Sequence, residues 1–305
     1  MLIQYLRIFI ISWILLYSSF SVFSQKTDTV RIGIFTDCQY CICVASGNRY
    51  YMLSLAKLDS CITEFNSQPL DAVFHLGDMI DHKFESYDSI LPRFRKFKAP
   101  LHLVLGNHDY MIKPKYKPGL TDYIGMKETY YRVDIGNWSF IVLNGNDLSY
   151  FAPQSKKQKE ERNEMVATLF SNLRFNGMPW NGGIGSDQMK WLDNQLSKAQ
   201  EENRNVVVMC HFSLFSKTDH NLYNNYELFQ LMNSYPCVKA YFKGHYHSGF
   251  YLEKEGIHLV NFKGMVNTKQ NAFAVVKLTS DSIFIDGYGR EPDRRLGIRK
   301  GIIEQ

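Results

Sequence analysis

The 305-residue chain is 45% hydrophobic and 21% charged, which excludes an intrinsically disordered protein and allows a sizeable buried core. Its formal net charge of +5 is mild and thinly spread, so a nucleic-acid partner is not expected. A weak positive field still suits an anionic substrate.

Residues 1–7 carry one positive charge, and residues 8–23 are apolar or small, with Val22-Phe23-Ser24 before a possible cut ahead of Gln25. That layout predicts a secretory signal peptide over 1–24 and one working domain over 25–305. Export to the periplasm or beyond is the expectation, with an uncleaved anchor as its rival. The apolar run is short for the ~20 residues of a bilayer span. Membrane contact is therefore expected only through this N-terminal segment. Oligomeric state is left open.

Residues 31–36 read as a buried strand, 49–66 as a helix and 72–76 as a strand. A helix over 87–97 and a strand over 101–105 follow. Segments 131–134 and 139–143 flank Gly136-Asn137, a hairpin signal. Residues 146–185 are polar and irregular with one helix inside, and a loop of that length usually covers a site or is disordered. Ser186 is expected to cap a helix running to about Asn203, with Trp191, Leu192 and Leu196 turned inward. Strands over 206–210 and 238–242 come next, then short antiparallel strands from Gly249. The alternation of strand and helix predicts an α/β fold. Cys38 and Cys210 read as buried thiols. Cys41 and Cys43 share a loop and Cys61 lies on the next helix, which leaves a bridge from loop to helix open. His75 reads as a core histidine with its hydrogen bonds satisfied.

Five segments place metal-capable residues directly after an apolar strand. They are Asp37-Cys38-Gln39, Gly77-Asp78-Met79-Ile80-Asp81, Gly106-Asn107-His108-Asp109, His211, and Gly244-His245-Tyr246-His247. In α/β sheets ligands bind at the carboxyl ends of strands, so five such ends are expected to converge. Singly, each motif is as well explained by a turn, a helix cap or surface histidines. Asp37, Gln39, Asp78, Asn107, His211, His245 and His247 supply donors enough for two divalent cations, and Asp78 is the natural bridge. Such a pair clamps a phosphoryl centre and lowers the pKa of a shared water, so that hydroxide attacks near neutral pH. There is no GxSxG elbow and no phosphate-binding GxxxxGK[ST] loop.

These segments resemble the calcineurin-like metallophosphoesterase superfamily, whose pattern runs D-x-H, G-D-x-x-D, G-N-H-D/E, H, G-H-x-H. Gln39 stands where most members have histidine. That departure, with Tyr40, Arg49-Tyr50-Tyr51, Gly183-Ile184-Gly185-Ser186-Asp187-Gln188, Trp191-Leu192-Asp193 and Gly289-Arg290-Glu291-Pro292-Asp293-Arg294, is similar to the manganese-dependent ADP-ribose/CDP-alcohol diphosphatases. The resemblance implies a two-sheet β-sandwich flanked by helices, with a dinuclear metal site at one rim. It implies hydrolysis of the diphosphate bond of a nucleotide-linked small molecule. Asp37, Gln39, Asp78 and His247 would hold one metal; Asp78, Asn107, His211 and His245 the other. His108 would face the substrate, and Asp81 and Asp109 would orient the ligands from behind. An amide oxygen in place of an imidazole hardens the site, which favours manganese, with magnesium, iron or zinc as alternatives. Tyr40, Arg49 and Asn144 are the candidate substrate contacts. A broad envelope phosphodiesterase or phosphomonoesterase is the alternative function, and a non-catalytic metal-binding scaffold is a third.

Overall fold

The computed structural model of the protein describes residues 29–299, so the expected leader over 1–24 lies outside the described residues. Among those described, no helix is long and apolar enough to cross a membrane. The first sheet begins with β1 (Val30–Phe35), β2 (Ala72–His75) and β3 (Leu101–Leu103), all parallel. The second sheet comprises β4 (Tyr131–Ile135), β5 (Trp138–Val142), β6 (Asn205–Met209), β7 (Val238–Lys243), β8 (Phe250–Lys254) and β9 (Ile257–Asn261). The chain then returns to the first sheet with β10 (Ala272–Leu278), β11 (Ser282–Gly289) and β12 (Arg294–Gly297). The orders are β12-β11-β10-β1-β2-β3 and β4-β5-β6-β7-β9-β8.

Side-chain alternation explains the layering. Ile32, Ile34 and Phe74 of the first sheet meet Phe140, Val207, Met209 and Phe242 of the second in a core between the sheets. The opposite faces carry Phe35 and Val73 on one side, and Ile141, Val206 and Val208 on the other. Both faces must be covered, which is why these strands read as nearly continuous apolar runs. Helices α1 (Ser54–Asn66) and α2 (Tyr87–Phe94) cover the first sheet through Leu58, Ile62, Phe65, Ile90 and Phe94. Three further helices, α3 (Asn107–Tyr110), α4 (Leu120–Ile124) and α5 (Lys156–Ser171), precede α6 (Ser186–Glu201) and α7 (Asn225–Asn233). The last two cover the second sheet through Leu192, Leu196, Leu228 and Met232. Each such buried side chain contributes roughly 1.5–3 kcal/mol.

Several expectations are corrected. The first helix starts at Ser54 after a 3₁₀ turn over Tyr51–Leu53, because Tyr51 is drawn into a small cluster with Cys41 and Val266. Arg49 forms β-bridges with Ser46 and Asn267 instead. Helix α2 stops at Phe94, and Phe97 turns back so that its ring lies 5.5 Å from that of Phe35. Gly185, not Ser186, is the N-cap of α6, and the Ser186 N–H donates to Glu161 of α5 at 2.7 Å. The late strands are not all antiparallel, since β9 runs parallel to β7. The loop-to-helix bridge does not form: Cys41 is bonded to Cys43, and Cys61 is a buried free thiol. His75 is buried with neither ring nitrogen hydrogen-bonded. Burial pushes it down to about 3, so it stays neutral between the Phe35 and Phe94 rings.

Candidate metal centre

The predicted ligands meet at one rim of the sandwich. Asp37 follows β1, Asp78 follows β2, Asn107 opens α3 just after β3, His211 follows β6, and His245 and His247 follow β7. Oxygen or nitrogen atoms of Asp37, Asp78 and His211 lie within 4.8 Å of one another. The Nε2 of His211 is 3.3 Å from Asp78 Oδ2 and 4.0 Å from Asp37 Oδ1. The Nε2 of His247 is 3.1 Å from the same Asp37 oxygen. Gln39 joins them, its amide nitrogen 3.0 Å from Asp78 Oδ2 and 3.2 Å from His247 Nε2. Asp78 therefore stands between the Gln39–His247 side and the His211 side.

Backbone geometry forces this convergence. Asp37, Gln39, Asp78 and His245 have φ of 52°, 41°, 60° and 66°, in a left-handed region that non-glycine residues rarely occupy. Gly106 lets the β3–α3 turn press on Asp78, since a Cβ there would fall 2.0 Å from Asp78 Oδ1. Asp109 ties the turn together. It accepts from the backbone N–H groups of Asp78, Met79 and Gly106 at 3.0, 2.9 and 2.9 Å, and from the Tyr87 hydroxyl at 3.1 Å.

The fit to a cation is visible in the donors themselves. Buried polar atoms almost always find hydrogen-bond partners. Yet Asp37 Oδ1, Gln39 Oε1, Asn107 Oδ1 and His211 Nε2 are buried without a well-formed hydrogen bond, and Asp37 Oδ1 and His211 Nε2 meet only each other's group and the neighbouring Asp78 and His247 as ion-pair contacts. Each is the atom that would ligate a metal. His211 uses its other nitrogen, Nδ1, on the Leu76 carbonyl at 2.8 Å, and His247 Nδ1 contacts Asn267 Oδ1 at 2.7 Å. That is how ligating imidazoles are oriented. His245 is anchored the other way round, with Nε2 3.1 Å from Asn181 Oδ1. The described residues thus fit a site of hard oxygen and imidazole donors.

Charge is balanced inside the group. Burial works against ionised Asp78, but His211 and His108 outweigh it and hold the carboxyl well below the usual range. Burial likewise disfavours charged His211, but Asp78 and Asp37 overcome this and hold the imidazole up at about 9. His245 is kept neutral by burial and by His211. His108 lies beside the cluster, its backbone N–H donating to Asp78 Oδ1 at 2.8 Å. Its Nδ1 is 2.9 Å from the Asp81 carbonyl and 3.2 Å from Asp81 Oδ1. Against the cost of burial, Asp78 and Asp81 raise its pKa.

The three candidate substrate contacts lie in different settings. Tyr40 is buried in the outer core of the first sheet, with its N–H on the Met79 carbonyl. Arg49 bridges to Asn267, which holds His247. Asn144 is clamped by Gln188 and lines a cleft of about 670 Å³ with Tyr110, Tyr130 and Asp147. A larger cavity of about 930 Å³ lies against β3 and contains none of the site residues. Sequence reasoning missed Asn181 and Asn267. Asn181 has a weak signal in the Asn-Gly-Gly that follows the polar segment's helix; Asn267 sits in no motif. Through Asn181, the segment over 146–185 reaches the metal centre.

Fold and site together define a metal-dependent hydrolase of phosphoric ester or anhydride bonds. The chain belongs to the calcineurin-like phosphoesterase family, whose model matches residues 30–249. It is 28% identical over 299 residues to the manganese-dependent ADP-ribose/CDP-alcohol diphosphatase of Mus musculus, covering 84% of this chain and 87% of that protein. The Homo sapiens protein of the same name is 27% identical, covering 83% and 86%. Among solved structures, a dimetal phosphatase from Danio rerio superposes with a TM-score of 0.79 at 20% identity, covering 88% of this chain and 99% of that one.

Proposed function

We propose that the protein hydrolyses the diphosphate bond of nucleotide-linked small molecules such as ADP-ribose or CDP-alcohols, using a pair of divalent cations, manganese foremost. Asp37, Gln39, Asp78 and His247 would hold one cation, and Asp78, Asn107, His211 and His245 the other. The carrying observation is the buried cluster of Asp37, Asp78 and His211, whose donor atoms lie within 4.8 Å of one another, together with the buried oxygens of Gln39 and Asn107 that no hydrogen bond satisfies. The names of the relatives support the substrate class. When bound, the pair would supply Lewis acidity at the phosphoryl oxygens and a nucleophilic water.

The chain's own residues do the rest. His108, held by Asp81 through Nδ1, keeps its Nε2 free to donate a proton to the leaving phosphate oxygen. Asp109 holds the two turns that carry Asp78 and Asn107 in fixed register. Residues 25–305 act as one domain in this reading, and the leader over 1–24 exports it.

The test is turnover of ADP-ribose and CDP-choline by purified protein with Mn²⁺. Release of AMP and CMP is expected. Good hydrolysis of a simple phosphomonoester or phosphodiester without either product would instead favour a broad-specificity envelope phosphoesterase, the reading that the apolar leader recommends. Tight metal binding with no turnover of any phosphate ester would leave a scaffold.

A further inference from the structure

Around Asp81 stands a second group of side chains able to ligate a metal. Cys41, Cys43, Asp81 and His82 each offer one donor atom, and the four atoms lie within 4.8 Å of one another. Two loops bring them together, one continuing from Gln39 and the other from Asp78. Backbone bonds tie the loops: Tyr40 N–H donates to the Met79 carbonyl at 3.1 Å, and Asp81 N–H to the Tyr40 carbonyl at 3.2 Å. The main chain therefore holds the two loops together at Tyr40 and Asp81. Asp81 divides its oxygens, with Oδ2 against His82 Nδ1 and Oδ1 3.2 Å from His108 Nδ1. Cys41 and Asp81 are buried, Cys43 is half-buried and His82 is exposed, so an ion has a path in from solvent.

Two sulfurs, an imidazole and a carboxylate make a donor set unlike that of the main centre. Thiolate and imidazole suit a thiophilic ion in four-coordinate geometry, with Zn–S about 2.3 Å and Zn–N about 2.0 Å. A tetrahedron of that size places its donors roughly 3.3–3.8 Å apart, within the 4.8 Å that bounds the group, so the freed sulfurs and the His82–Asp81 pair need only part to receive an ion. The sulfurs of Cys41 and Cys43 are bonded to each other in this structure, and in that form neither is a thiolate. A bridge across a single residue closes a very short loop and gains little from chain entropy. Half-buried Cys43 leaves it open to attack by an external thiolate.

We propose that Cys41, Cys43, Asp81 and His82 form a further metal site, for a thiophilic divalent cation such as zinc, available only when the Cys41–Cys43 bond is reduced. A dithiol reductant supplies two electrons and two protons to the bond and becomes a disulfide itself. The two thiols formed then release their protons to water as the cation binds. Reoxidation by a disulfide oxidant reverses both steps. The site stands without the phosphoesterase reading; only its influence on catalysis, through the carboxylate that Asp81 shares with His108, rests on it.

The test is a Co²⁺ titration of the full chain, first saturated with Mn²⁺, with and without a phosphine reductant. The reduced protein is expected to bind one further equivalent of Co²⁺ and to develop a thiolate-to-cobalt charge-transfer band in the near ultraviolet. The oxidised protein and the Cys43→Ser variant are expected to lack the band, and His82→Ala to bind the added ion at least tenfold more weakly. His82 is exposed and Cys43 half-buried, and unchanged melting will show that the variants fold. Absence of the band in reduced wild type, or its persistence in Cys43→Ser, overturns the proposal. Neither result depends on whether any phosphate ester is turned over.

Discussion

Four side chains of the metal centre sit on backbone that ordinary residues avoid, and left-handed φ at a non-glycine residue costs on the order of 1–3 kcal/mol. Strain of this kind persists only where surrounding bonds over-determine it. Here Asp109 and the Leu76, Gly77 and Met79 carbonyls do so. His108 is the one site side chain whose proposed task is proton transfer rather than ligation. His108→Ala is expected to lower kcat by roughly 10²–10⁴-fold while leaving metal stoichiometry unchanged. Activity that survives intact would remove His108 from the mechanism. His211 supports a second prediction. In the metal-free chain it is held up at about 9, so it is protonated at neutral pH. A cation arriving at Nε2 must expel that proton. Metal binding at pH 7 is expected to release about one proton from His211, and affinity to climb about tenfold per pH unit until about pH 9. Calorimetry in buffers of different ionisation heat measures this, and equal heats in all of them would contradict it. The same pair with Asp78 stabilises the metal-free fold fully below the unfolded histidine pKa of about 6.5, and this contribution is lost as pH rises through about 9.

At the scale of elements, the site is a set of strand ends and the tight turns that follow them. The turn after β3 is the most constrained, because Gly106 lies directly on Asp78. Gly106→Ala is expected to move either that turn or the Asp78 carboxylate, weakening metal binding and lowering kcat at least 10²-fold. Metal affinity and turnover equal to wild type would show that the turn yields freely. The strands are legible in the sequence, because burial on both faces makes them nearly uninterrupted apolar runs. Helix ends are less legible. Ser186 looks like a cap, but Glu161 from another helix takes its N–H, and Gly185 holds the cap position. Likewise Tyr51 leaves the first helix for a partner, Val266, more than 200 positions away in the chain. Such decisions are tertiary, and local propensity does not contain them.

Across the whole molecule, two sheets share one core and the metal centre joins loops from both of them. Cations bound only by the folded state should therefore stabilise all of it. Restoring Mn²⁺ to a chelated sample at a hundred times its dissociation constant is expected to add about 2.7 kcal/mol and raise Tm by several degrees. An unchanged melting curve would mean that the donors do not hold a cation. The amino-acid sequence by itself determined the α/β class, the order of the strands along the chain, and the meeting of the strand-end motifs at one rim, because such motifs are local patterns whose meeting place follows from how α/β sheets are wound. Only the tertiary structure decided that β10 to β12 return to the first sheet, that Asn181 and Asn267 steady the histidines, and that Cys41 and Cys43 come to lie beside Asp81 and His82. Each of these depends on contacts between residues far apart in the chain, which no local period or spacing records.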